Sequence, residues 1–226
     1  MATDAIVDDL FVTEESGITH LRHEGIPDHR MHFVGNTMID SLHYAMPKAV
    51  KSTVVARLGL KQGGYALVTM HRPSNVDDIE QLRTLIDVLT TIAKIKPLVF
   101  PVHPRTRKNL ASIGIDIPEG ILMVEPMGYV DFLALMRSAS FVLTDSGGIQ
   151  EETTALGVPC ITARTTTERP VTVEIGTNVL VEPTKDGILR AVNRILSGDV
   201  QKGLIPPLWD GHASDRIASM ITTHYS

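Results

Sequence analysis

Three short stretches hold the residues best suited to gripping an anion. The sharpest is Thr144-Asp145-Ser146-Gly147-Gly148-Ile149-Gln150-Glu151-Glu152, where an apolar run feeds Ser-Gly-Gly and a helical pattern continues through Leu156. Glycine lets the backbone approach a ligand closely, and the free N–H groups and positive dipole end of a helix attract negative charge. Ser146, Gly147 and Gly148 are therefore candidate anion ligands, with the Ser146 hydroxyl as a further donor. The spacing puts Glu151 and Glu152 in the first helical turn, where carboxylates oppose a phosphate. They offset the helix dipole, or one of them accepts from sugar hydroxyls; the spacing leaves both readings open.

The second stretch is Val68-Thr69-Met70-His71-Arg72-Pro73-Ser74-Asn75, in which His71 and Arg72 follow directly on an apolar run. A guanidinium suits phosphate geometry, and an imidazole can donate to phosphate or move a proton. Taken alone, the dipeptide reads better as a helix cap at His71 and a solvated Arg72. The third is Thr165-Thr166-Thr167-Glu168-Arg169-Pro170, again hydroxyls and an arginine after an apolar run. His71, Arg72, Ser146 and Arg169 at one edge would form a convergent anion site, and their joint placement says more than any one motif. His103 and Arg105 follow a fourth apolar run, and Met127, Gly128 and Tyr129 a fifth. With Thr167 these are read as lining the site: the His103–Arg105 pair adds charge near a phosphate or is simply a basic helix start, and the Met127–Tyr129 stretch suits a flat base and equally a plain loop.

Those loops need a frame, and the chain supplies one. The runs Ala66–Met70, Leu98–Val102, Ile121–Val124, Phe141–Thr144, Pro159–Ala163 and Asn178–Val181 are continuously apolar, as expected of strands buried on both faces. Between them lie amphipathic stripes: Ile79, Leu82, Leu85, Ile86, Leu89 and Ile92; Phe132, Leu133, Leu135, Met136 and Ala139; and Ile188, Leu189, Val192, Ile195 and Leu196, closed by Gly198. Ser74 and Asp77 read as a capping box ahead of the first stripe. Strand alternating with helix predicts an α/β fold, a parallel sheet with helices on both faces and ligands at the carboxyl ends of its strands.

Residues 1–38 carry two short strand candidates, Leu10–Thr13 and His32–Gly35, around a helical pattern from Glu14 to Glu24. Too little is there to bury a sheet, so this piece reads as the remnant of another domain. Residues 39–60 read as a helical linker, with Pro47 tolerated in a first turn. Residues 61–205 form the main domain and 206–226 a helix crossing back to the first piece. Exposed apolar surface is expected on residues 1–40 and on the last helix.

The 226 residues are 43% hydrophobic and 21% charged, enough for a core. A net charge of −5 offers no footprint for nucleic acid or an anionic membrane. No apolar run approaches a spanning helix, and Cys160 stands alone, which fits a reducing cytoplasm. His20 and His23, like His29 and His32, are spaced in threes without a ligand cluster around them; they read as solvated surface histidines, with no metal.

The stretches LVTMHRPSNVDD, PVHPRTRKNL, EPMGYVDFLALM, LTDSGGIQEETTALGVPCITARTTTERP and VEIGTN, with ATDAIVDDLFVTEESG and VGNTMIDSL before them and GHASDRI after, resemble the non-hydrolysing UDP-N-acetylglucosamine 2-epimerases. The DSGGIQEE and TTTERP pair, in this order, is the most specific part. The resemblance implies two Rossmann-like domains facing across a cleft in the glycosyltransferase-B arrangement, with this chain supplying the second. It implies that Ser146 and Gly147 hold the UDP diphosphate, with Arg72 and Gly148 beside them. Glu152 binds the ribose hydroxyls, and His71 and Arg169 meet the diphosphate or the charge on departing UDP. His71 is the residue it makes catalytic. The implied reaction eliminates UDP to a 2-acetamidoglucal and re-adds it with inversion at C2, without a cofactor.

Two positions depart from the family pattern: Pro73-Ser74 where many members have HRxEN, and Val171 where many have Glu after ERP. The family's proton-transferring carboxylates and early Gly-rich loop belong to the first domain and are not among these residues. Three functions follow: a UDP-N-acetylglucosamine 2-epimerase, incomplete as an isolated chain; a non-catalytic UDP or UDP-sugar binding module; and a glycosyltransferase-B type sugar transferase. The expected partner is a UDP-sugar, with a homodimer or association with a separate first half as the assembly.

Overall fold

The computed structural model of the protein describes residues 4, 6–72, 78–112, 114, 116–200 and 202–224. In chain order its elements are β1 (Leu10–Val12), α1 (Glu15–His23), a 3-10 turn (Asp28–Arg30), β2 (Met31–Phe33), α2 (Thr37–Ala49), α3 (Val54–Arg57) and β3 (Ala66–Thr69). Then come α4 (Ile79–Ala93), β4 (Leu98–Pro101), α5 (Pro104–Ser112), β5 (Ile121–Val124), α6 (Tyr129–Ser138), β6 (Val142–Thr144) and α7 (Gly147–Leu156). The chain continues through β7 (Cys160–Ala163), α8 (Pro170–Glu174), β8 (Asn178–Val181), α9 (Lys185–Leu196) and α10 (Ala213–His224).

β3 to β8 form a sheet in the order β5-β4-β3-β6-β7-β8, parallel throughout. The chain winds outward from β3 through β4 to β5, then returns to β3's other side as β6 and winds out again. The order therefore reverses between β3 and β6, and loops leaving the carboxyl ends of those neighbours must diverge and open a crevice. The six apolar runs all became these strands, trimmed by a residue at some ends.

Side chains alternate across the sheet, and both faces are covered. Ala66, Val68, Phe100, Leu143 and Ile161 pack with α4, α5 and α9 on one face. Tyr65, Leu67, Val99, Val142 and Cys160 pack with α2, α3 and α6 on the other. That is why the strands read as unbroken apolar runs. Phe100 is fully buried; its truncation to alanine would cost about 3–5 kcal/mol.

Several sequence expectations need correction. Ile79 and Leu196 belong to their stripes by spacing, yet they stand at the first and last helical positions and are largely exposed. Ser74 and Asp77 lie outside the described residues; the cap seen on α4 is Asp78, accepting the Gln81 N–H at 2.9 Å. Pro47 sits in the last turn of α2, not a first turn; there its missing N–H removes a single late helical bond. β2 ends at Phe33 because Gly35, at φ +88, turns the chain away.

β1 and β2 pair in parallel as a separate two-stranded sheet. Leu10, Val12 and Met31 are buried. Among the described residues of the first forty and of α10, Ile6, Met38 and Ile221 are the exposed large apolar side chains, and Phe11, Ile18, Leu21, Ile26, Phe33, Ile217 and Met220 are partly exposed. His32 is no solvated surface histidine: its Nε2 lies 2.6 Å from Asp9 Oδ1 and its ring stacks near Phe11. The C-terminal residues contribute to this lobe. Trp209 donates its indole N–H to the Thr13 carbonyl at 3.1 Å, and Arg216 reaches the Val34 carbonyl at 3.1 Å. Asp40 of α2 caps α10 by accepting the Ala213 and Ser214 N–H groups at 3.1 and 2.6 Å. Burial opposes its charge, but those bonds prevail and hold its carboxyl below the usual range. Among the described residues no helix is long and apolar enough to cross a membrane.

Candidate functional site

Asp145 follows immediately on β6 and is fully buried. A carboxylate there must be compensated, and the loop after β3 supplies the donors. The His71 N–H lies 3.2 and 3.1 Å from the two Asp145 oxygens, and the Arg72 N–H 3.0 Å from Oδ2. His71 Nδ1 is 2.9 Å from Oδ1. Arg72 Nε returns a bond to the Asp145 carbonyl at 2.9 Å. One acidic side chain thus locks two loops together across the switch point. The Nδ1 edge of the ring is thus committed to Asp145, while the side chain as a whole is 59% exposed. The sequence motif by itself gives Asp145 no role. The available signal was a charge at the end of a fully apolar strand, which burial forces to find partners.

Ser146 is the N-cap of α7, and its hydroxyl makes no capping bond. Gly147 and Gly148 open the helix, so their N–H groups are among those with no intrahelical acceptor. A Cβ added at Gly147 would meet nothing within 4 Å, so the space above it is open. Glu151 and Glu152 lie one turn further in than the spacing suggested, and both are buried. They do not oppose a phosphate from the first turn.

The loop carrying Thr165 to Arg169 is tied down by Gln150, another residue the sequence left without a role. Gln150 Oε1 accepts from Thr167 Oγ1 at 2.7 Å and from Asn178 Nδ2 at 3.0 Å. The Arg169 N–H donates to Thr167 Oγ1 at 3.0 Å, and Arg169 Nε lies 2.7 Å from Glu151 Oε1. Arg164 forms a bidentate pair with Glu168 at 2.8 and 2.7 Å. Those bonds hold the Glu168 carboxyl down to about 2, with Arg72 near enough to add to the effect. Arg72, Asp145, Arg164, Glu168 and Arg169 therefore share one neighbourhood at this rim.

On the far side of α7, Tyr129 donates its hydroxyl to Glu152 Oε1 at 2.7 Å. Burial pushes the Glu152 carboxyl up, Tyr129 opposes this, and Glu151 adds to it. The Tyr129 phenol is raised in turn, mainly by burial. Gly128 is the N-cap of α6 with open space above it, and Met127 is half-buried against the second core face. His103 and Arg105 are exposed at the end of β4, the strand on the other side of β3; there the Arg105 N–H donates to His103 Nδ1 at 3.3 Å and starts α5. Among the described residues no three His, Cys, Asp or Glu side chains group as a metal site.

The rim thus brings together a helix N-terminus, open space over glycine, an imidazole and two guanidinium groups, with a buried carboxylate one turn along, chemistry suited to holding an anion. Comparison with known proteins matches the chain to a family. The family model for UDP-N-acetylglucosamine 2-epimerase matches residues 1–222. The UDP-N-acetylglucosamine 2-epimerase of Methanocaldococcus jannaschii is 36% identical over 229 residues, 97% of this chain and 62% of that protein. A UDP-2,3-diacetamido-2,3-dideoxy-D-glucuronate 2-epimerase of Pseudomonas aeruginosa is 33% identical, over 97% of this chain and 61% of its own length. The crystal structure of the M. jannaschii enzyme in complex with UDP-GlcNAc and UDP superposes with a TM-score of 0.86 at 37% identity, covering 98% of this chain and 62% of that one. The chain thus spans about three fifths of the relatives it matches.

Proposed function

The chain belongs to the UDP-N-acetylglucosamine 2-epimerase family, and from that premise we propose that it grips the UDP of a UDP-sugar at the β3–β6 crevice and serves the 2-epimerisation of that sugar. It is the second half of a glycosyltransferase-B type pair, with residues 1–38 and 206–226 belonging to the neighbouring lobe and its crossover. The observation that carries the reading is the buried Asp145 bridge, which fixes His71 and Arg72 beside the N-terminus of α7.

The diphosphate lies over Gly147 and receives the Ser146 hydroxyl and the first N–H groups of α7. Arg72 and Arg169 neutralise its charge. Glu152, with one oxygen held by Tyr129, accepts from the ribose hydroxyls. The Met127–Gly128 stretch offers a flat surface to the base. Elimination breaks the C1–O bond of the sugar, takes a proton from C2 and leaves the electron pair on the departing UDP. His71, its Nδ1 committed to Asp145, meets that growing charge through Nε2, and the helix and arginines spread the rest. Re-addition of UDP to the glucal with a proton delivered to the opposite face of C2 completes the inversion. Proton transfer at C2 is the part of the chemistry these residues do not supply. The acceptor for the sugar is the finer point, since the relatives carry names for two different UDP-sugars.

Calorimetry with UDP, UMP and uridine tests the grip: UDP should bind at least about tenfold more tightly than UMP. Equal affinity for the two would place no diphosphate at the helix end. Incubating the chain with UDP-GlcNAc in D2O tests the chemistry. Deuterium at C2 would show turnover by these residues alone, and binding without exchange would confine them to holding UDP.

A further inference from the structure

Gln150 lies in the first half of α7 and takes no part in the proposed UDP grip, yet its side chain is fully buried. Its Nε2 donates to the Ser146 carbonyl at 3.2 Å. A backbone carbonyl can only accept, so this bond settles which end of the amide is the donor. Oε1 then faces Thr167 Oγ1 at 2.7 Å and Asn178 Nδ2 at 3.0 Å, and both must donate to it. Asn178, itself buried, gives its other NH2 proton to Thr172 Oγ1 at 3.3 Å and accepts the Thr162 hydroxyl at 2.7 Å.

Two threonines carry this order to Arg169 from opposite sides. Thr167, whose hydroxyl proton goes to Gln150, accepts the Arg169 N–H at 3.0 Å. Thr172, which accepts from Asn178, donates its hydroxyl to the Arg169 carbonyl at 2.7 Å. Both backbone polar groups of Arg169 thus trace back to Gln150 and Asn178, and the same Gln150 amide holds the carbonyl of Ser146, the N-cap of α7. The side chain of Arg169 is set against that helix as well, with Nε 2.7 Å from Glu151 Oε1. Gln150, Asn178, Thr162 and Thr172 are each at most 4% exposed, so bulk water does not replace a lost partner among them. A buried network in which every donor has its acceptor is rigid.

We propose that Gln150, braced by Asn178, is a positioning residue for the diphosphate grip: it fixes the backbone of Arg169 relative to the start of α7 before any ligand arrives. A cation held in place in advance loses less freedom when an anion binds, so the network adds affinity without touching the ligand. The effect on ligand rests on the UDP reading above; the ordering of Arg169 in the free chain does not.

Gln150→Met keeps an unbranched side chain in the helix and removes both polar ends. Thr167→Val cuts the same path at the loop, and Thr167→Ser keeps the hydroxyl. Without ligand, hydrogen exchange at the Arg169 amide should be slow in wild type, at least about tenfold faster in Gln150→Met and Thr167→Val, and within about twofold of wild type in Thr167→Ser. Calorimetry should show Gln150→Met and Thr167→Val weakening UDP about fivefold, with uridine affinity unchanged and Thr167→Ser close to wild type. In an Arg169→Ala background Gln150→Met should weaken UDP by less than about a further twofold, because it acts through Arg169. An Arg169 amide that exchanges no faster in Gln150→Met, or the full loss of affinity repeated in the Arg169→Ala background, overturns the proposal. So does a lower denaturation midpoint with UDP affinity unchanged, the signature of a merely structural part. If Gln150→Met does not fold, Thr167→Val decides by the same readings. If wild type gives no heat with UDP, the UDP reading fails, and amide exchange alone decides whether Gln150 orders Arg169.

Discussion

The loops leaving β3 and β6 and the loops leaving β4 and β5 stand on the same rim of one sheet, and by sequence they look alike. Each pair offers cations and polar groups directly after an apolar strand. In the structure they differ in kind. The first pair straddles the place where strand order reverses, and Asp145 binds one loop to the other through two backbone N–H groups and an imidazole. In the second pair His103 caps its own helix and stays exposed. Position at a strand's carboxyl end makes a residue available to a ligand; a buried polar group that must be satisfied gives it a fixed geometry.

The sharpest way to break that contrast is at its centre. Asp145→Asn would turn two acceptors into one and set an NH2 group among the His71 and Arg72 N–H donors. It should lower folding stability by about 3 kcal/mol in chemical denaturation and weaken UDP by at least about a hundredfold. A variant that binds UDP normally would mean the bridge is incidental. Next comes His71→Asn, for which the longer family protein is the fair substrate of the test. Turnover should fall by about a hundredfold while UDP affinity holds within about threefold.

Gly147→Ala separates the ligand from the fold. No protein atom lies near the added methyl, so stability should stay within about 0.5 kcal/mol while UDP affinity drops about tenfold. Equal affinity would move the phosphate away from the start of α7. Tyr129→Phe should cost about three- to tenfold for UDP and nothing for pyrophosphate, because it frees Glu152 and leaves the anion cradle alone. At the quiet end of the comparison, His103→Ala should change UDP affinity by less than about twofold and stability by about 0.5 kcal/mol at most. A larger loss of affinity would draw the β4 loop into the site and erase the contrast.

Glu151 and Glu152 also give the fold a pH signature. Both are raised by burial above the ordinary glutamate range. The protonated forms are favoured in the folded state, so their contribution is fully present below the ordinary range and declines as pH rises through the raised values. Thermal unfolding of wild type should reveal that decline, and Glu151→Gln should reduce it.

How much of this was legible in advance follows the range of the forces involved. The six apolar runs, their intervening stripes and the Ser-Gly-Gly turn are local patterns, so strands, helices and the glycine-led start of α7 could be read directly. Ile79 and Leu196 were misjudged because periodicity says nothing about where a helix outruns its sheet. Tyr129 was suspected only as lining, although it holds Glu152 from another helix at 2.7 Å. Gln150, Asn36 and Asn178 went unassigned because their partners are distant in sequence.

The sequence by itself determined that this is a parallel α/β chain with a Ser-Gly-Gly turn leading into a helix and the motif order of one enzyme family. Burial patterns and turn chemistry are written residue by residue, within a helical turn or a strand. Only the tertiary structure decided that β6 lies beside β3, that Asp145 reaches His71, and that Asn36 donates to the buried Glu151. The Asp145–His71 contact spans 74 residues and the Asn36–Glu151 contact 115. They are set by strand order and by the need to satisfy buried charge, neither of which any local stretch of sequence encodes.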